Sequence, residues 1–176
     1  MFFKKKITRK VYVEILLGLM KDIIKVAGDE FNNEFGMRHE NPSSLKEATI
    51  FSLWIMTISL PPGDDNIRDM LHDEVAKSFA PLFEVTEDEI LFEIDKRYRN
   101  YFEAFNMWQR NPQNGHMIGA AIIEMIINDN PDFSFNQSIP QVSDLEAMKA
   151  FNIFMMVFTL HLESIEKLNK KVKLID

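Results

Sequence analysis

Residues 150–162 constrain the fold more than any other stretch of this chain. They include Phe151, Phe154 and Phe158, together with Ile153, Met155, Met156, Val157 and Leu160, and no formally charged side chain. A capping box, Ser143 with Glu146 three residues on, opens the helix that carries them. A helix that is apolar almost all the way round must be buried on most sides, as a central element or against a second copy. Along it, Met148, Phe151, Met155, Phe158, Leu162, Ile165, Asn169 and Val172 repeat at alternating three and four, a coiled-coil-like seam with one polar intruder, Asn169. The opposite side carries Ile153, Phe154, Met156, Val157 and Leu160. If one chain cannot cover both faces, Ile153, Phe154, Met156 and Val157 form an interface with a protein partner or a second copy, which makes a homodimer the expectation.

Start and stop signals mark five further helices. The first begins near Thr8, with Val11, Ile15, Leu19, Ile23, Ala27 and Phe31 at spacing four on one face, and ends at Gly36, or earlier at Gly28. A second capping box, Ser44 with Glu47, opens the next, which stops at Pro61-Pro62-Gly63. The third starts at Asp64 or Asp65 and buries Ile67, Met70, Leu71, Val75 and Phe79. Thr86 with Glu89 opens the fourth, whose Ile90, Ile94, Tyr98, Tyr101, Phe105 and Trp108 share a face. Glu93 with Arg97 and Asp95 with Arg99 are four-apart ion pairs suited to its solvated side. Asn111-Pro112 starts the fifth, where Gly115 and Gly119, four apart, let another backbone come close. Residues 129–142 read as a long loop pinned by Phe133 and Phe135. No strand alternation, repeat or low-complexity linker interrupts this pattern. The expectation is an all-α, single-domain bundle of about six helices over residues 1–176 with a flexible basic tail at residues 1–7.

The absence of cysteine removes disulfides, thiolate metal sites and cysteine nucleophiles together. It agrees with a reducing cytoplasm, the expected location. No run reaches the roughly 18 apolar residues of a spanning helix, and the N-terminus lacks the pattern of a signal peptide. The net charge of −7 hides an asymmetry: residues 1–10 hold five bases and no acid, residues 167–176 hold four bases and one acid, and the 156 residues between carry −15. An acidic body argues against nucleic acid as a partner, because phosphate contact is the main source of that affinity. In an up-and-down arrangement of six helices the two basic ends meet at one pole. Lysines there suit the end of the last helix but oppose the start of the first, so Lys4, Lys5 and Lys6 need another explanation. Contact of residues 1–10 with an anionic membrane surface is the weaker alternative to a solvated end.

Local catalytic patterns are missing: no glycine-rich phosphate loop, no nucleophile elbow, no paired zinc-ligand histidines on one helix. One cluster stands out. Asp69, His72 and Asp73 lie at i, i+3 and i+4 on one helical face, and imidazole with carboxylate suits divalent metals. Met70-Leu71-His72-Asp73-Glu74-Val75-Ala76-Lys77 resembles the His-Asp stretch of HD-domain phosphohydrolases, which are helical metal enzymes. The resemblance implies His72 and Asp73 as metal ligands and His39 as a further one. It covers about eight residues, Glu74 and Val75 stand where the family has an apolar residue and a glycine, and no later segment matches its final metal-binding Asp. Against it stands the plainer expectation that these residues form the solvated face of the third helix, with His72 in an ordinary hydrogen bond. The favoured expectation is a non-enzymatic helical protein acting through protein contacts as an adaptor, regulator or inhibitor, without a cofactor. A metal-dependent HD-like phosphohydrolase is the alternative.

Overall fold

The computed structural model describes residues 4–36, 42–61, 63, 65–128, 130, 133, 140 and 142–175, with residues 42–45 as backbone only. Strand β1 (Lys5–Thr8) leads into helix α1 (Arg9–Phe35), followed by α2 (Pro42–Ser59), α3 (Asp65–Phe79), α4 (Glu87–Arg110), α5 (Gly115–Ile122), α6 (Asp144–Lys171) and strand β2 (Val172–Ile175). The chain is an all-α bundle with one short two-stranded sheet added.

Local chemistry sets most helix ends. The Thr8 hydroxyl accepts from the Val11 amide, and Gly36 ends α1 in the left-handed conformation at φ 66°, its N–H on the Asn32 carbonyl. Thr86 with Glu89 and Ser143 with Glu146 both close complete capping boxes. Helix α2 departs from expectation. It begins at Pro42, upstream of Ser44, and its Glu47 lies in the interior against Arg97. Asp64 and Phe135 lie outside the described residues.

The strict four-residue stripe of α1 does not stay on one face. Each step of four advances about 40° beyond a full turn, so five steps carry the stripe roughly halfway round the helix. Phe31, Ala27 and Ile23 are buried, Val11 is exposed, and Tyr12, Val13, Leu16 and Met20 take the core side of the N-terminal half.

The helix buried on every side is α2. Each residue from Thr49 to Thr57 is buried. Phe51, Trp54 and Ile55 enter one apolar cluster with α5 and the first half of α6, while Ile50, Leu53, Met56 and Leu60 enter a second with α3 and the N-terminal half of α1. Helix α6 packs on α5, α1 and α2. Its Ile153, Phe154 and Val157 are buried, Phe154 stacking on Trp54, whereas Met148 and Leu162 of the seam are exposed. The side of α6 assigned to a partner, should one chain fail to cover both, is thus the chain's own core, and the seam is covered in part, with Ile165 buried and Phe151, Met155 and Phe158 half-buried against the same interior. Among the described residues α6 alone has the length and apolar composition of a membrane span, a property that core helices share.

The close approach expected at the paired glycines is present. A Cβ on Gly119 would stand 1.7 Å from the Ala147 carbonyl oxygen, and one on Gly115 would stand 2.7 Å from the Phe151 ring. Helix α5 thereby lies backbone to backbone on α6, and it runs on into a wider π turn over Ile123–Ile127. Phe133 is buried and its carbonyl accepts from Asn100.

The Glu93–Arg97 pair expected at the surface is also different. Arg97 is buried and grips Glu47 of α2 with two nitrogens, Nε at 3.0 Å and Nη2 at 2.8 Å, while Glu93 stands 4.0 Å away and pairs with Lys46. A buried ion pair of this kind fixes which helices meet more than it adds net stability, because each charge loses its water. Asp95 and Arg99 do form the exposed pair expected of them.

Candidate functional site

The structure places His72 in a cleft of about 380 Å³ between α2, α3 and α4, lined also by Arg68, Asp69, Thr57 and Tyr98. Both ring nitrogens are engaged. Nδ1 lies 2.6 Å from the Arg68 carbonyl, which can only accept, so Nδ1 carries the proton. Nε2, 3.0 Å from the Tyr98 hydroxyl, is then the acceptor and Tyr98 the donor. Thr57 gives its own proton to the Leu53 carbonyl at 2.8 Å and stands 3.3 Å from Tyr98. Burial lowers the His72 pKa, against the opposing pull of the Arg68 carbonyl, Asp69 and Asp73, and burial raises that of Tyr98. The ring is therefore a neutral strut between α3 and α4. To ligate a metal it would have to give up one of these bonds.

Of the rest of the expected ligand set, only Asp69 among the described residues lines the same cleft. Asp69 and Asp73 are exposed on α3, and His39 lies outside the described residues. Among the described residues no three His, Asp or Glu side chains stand together as a metal site. Arg68, the cation in this cleft, is committed to structure. Its guanidinium donates to the carbonyls of Thr57, Leu60 and Pro61 and to Asp65, closing the C-terminal end of α2.

Nor do the four expected interface residues form a surface. Ile153, Phe154 and Val157 are inside, and Met156 is half-buried against the same cluster. The chain covers with α2 and α5 what a partner was expected to cover.

A different arrangement emerges at the chain ends. Lys5–Thr8, with residues 5–7 expected in a flexible tail and Thr8 at the start of the first helix, pairs in parallel with Val172–Ile175, matching Lys5 to Val172, Lys6 to Lys173, Ile7 to Leu174 and Thr8 to Ile175. Ile7 is buried and anchors the pair, with Val172 and Leu174 half-buried on the same side. Lys4 donates to the Asn169 carbonyl at 2.6 Å, and Tyr12 donates to the Asn169 side chain at 2.8 Å. The polar intruder of the α6 seam is thus the joint between the two ends, and Lys4 supplies positive charge to the negative end of the α6 dipole.

This pairing gathers Lys4, Lys5, Lys6, Arg9 and Lys10 with Lys170, Lys171 and Lys173 at one pole. Lys167 and Lys170 pair with Glu163 and Glu166 along α6. Among the described residues no carboxylate pairs with Lys5, Lys6, Lys10, Lys171 or Lys173. Periodicity could not reveal this site, because four-residue strands carry no helical signal. The one available clue was the charge at the two ends. Compared with protein-family models, curated proteins and solved structures, the chain matches none.

Proposed function

We infer that this protein works through protein contacts in the cytoplasm, as an adaptor, regulator or inhibitor, and that its contact surface is the basic pole. The observation that carries the reading is the pairing of β1 with β2, which concentrates on one end of an acidic body lysines that, among the described residues, pair with no carboxylate. Such a charge arrangement steers and orients an acidic partner, and it repels the same partner from every other face. The cytoplasm suits a chain without cysteine. The cleft at His72 supports the HD-like alternative less well, because both ring nitrogens already have partners within the chain.

A labelled octaglutamate peptide tests the reading by fluorescence anisotropy. Saturable binding that weakens with added salt and is lost in a Lys5→Glu, Lys6→Glu, Lys173→Glu variant is expected. Equal binding by that variant would sink the assignment of the pole.

A further inference from the structure

We propose that the β1–β2 pair accepts an extended acidic segment of a partner protein as a third strand. The proposal rests on the reading of the basic pole as a protein-contact surface and goes further, naming the shape and pattern of what binds there.

Two backbone groups of these strands are taken up where they join the helices: the Thr8 carbonyl at the N-cap of α1, and the Val172 N–H, which closes α6 on the Leu168 carbonyl. Among the described residues no turn or loop backbone bonds to the rest of the two strands. A two-stranded sheet with unused outward amides and carbonyls is a template for a further strand. The side chains then decide which strand. Lys6 and Lys173 are direct cross-strand partners on the outer face, an arrangement that like charges disfavour. A second copy of β1 or β2 would add more lysines to that face, so self-pairing at the edge is opposed. Carboxylates on an incoming strand relieve the same repulsion.

The pleat fixes the rest of the pattern. Ile7 is buried, and Val172 and Leu174 are half-buried on the inner side, while Lys6, Lys173 and Thr8 face outward. A strand added here presents alternate residues to the two faces. Its outward residues are acidic and its inward residues apolar. The ladder spans four residues, so the recognised core is about as short.

The probe is an acetylated, labelled octapeptide of alternating Glu and Val, measured by anisotropy against the full chain. Two N-methylated versions, blocking one or the other set of alternate amides, accompany it. The expected result is saturable binding that falls at least about tenfold in a Lys6→Ala, Lys173→Ala variant whose melting curve is unchanged. One N-methylated version loses binding and the other keeps it, because only alternate amides of an added strand face the ladder. If the octapeptide binds and both N-methylated versions bind equally well, strand addition is wrong while the acidic-partner reading survives. If neither this peptide nor octaglutamate binds, both fall. Binding of phosphatidylserine vesicles or of a single-stranded oligonucleotide in place of either peptide would overturn both in favour of that partner.

Discussion

At the residue scale, the most exacting position is His161. It is fully buried on α6; its Nδ1 lies 2.9 Å from the Val157 carbonyl, and its Nε2 has no hydrogen-bond partner among the described residues. Burial pushes its pKa down to about 4. The unfolded chain takes up a proton near pH 6.5 that the native state refuses until about pH 4. Stability from this residue is therefore full above the unfolded value and is lost as pH falls through that window, by about 3 kcal/mol in all. Urea unfolding at pH 7 and pH 4.5 checks it: the drop between the two is expected to be about 2–3 kcal/mol smaller in His161→Leu than in the unaltered chain. An equal drop in both would show that the imidazole is not held neutral. The sequence placed His161 beside a buried run and no further. It gave no hint that Arg97 would turn inward to Glu47, fifty positions away, and keep its helical neighbour Glu93 only at 4.0 Å, because i to i+4 spacing describes a helix in isolation and says nothing of which face α2 covers.

At the scale of elements, capping chemistry was the most legible signal. Thr86 and Ser143 do what their sequence spacing implies, since a cap needs only residues within one turn. Ser44 misled because Pro42, preorganised for a first helical turn, starts α2 upstream of it. Which helix is central was less legible. Both α2 and α6 are rich in apolar residues, and which face ends up covered depends on packing that periodicity alone does not contain. Gly119 was legible for a reason of its own: a glycine that weakens a helix needs a compensating contact, and Ala147 supplies it. Gly119→Ala would drive a methyl into a backbone carbonyl that cannot move without separating α5 from α6, at a cost of about 3 kcal/mol or more. Gly115→Ala first meets the ring of Phe151, a side chain that can turn aside, and is expected to cost about 1 kcal/mol. Thermal unfolding of the two variants side by side should keep that order; a Gly119→Ala protein as stable as the parent would remove the close helix contact from the account.

At the scale of the whole molecule, the two ends of the chain are one structural unit. Lys4 on the end of α6, Tyr12 on Asn169 and the β1–β2 ladder all join the beginning of the chain to its end. The meeting of the termini was legible from an even number of antiparallel helices, and the charge at each end from composition. The strands were not, because residues 5–8 and 172–175 are too short to alternate visibly and their pairing partner lies at the far end of the sequence. The central claim is that pairing, and not the mere presence of lysines, builds the binding surface. Ile7→Pro with Leu174→Pro tests it most directly. The two residues are register partners, so the double change removes a ladder bond whichever of them donates it, and leaves every charge in place. With helical circular dichroism retained at the assay temperature, the account predicts that affinity for the alternating Glu-Val octapeptide falls at least about tenfold. Undiminished affinity in that variant would contradict it.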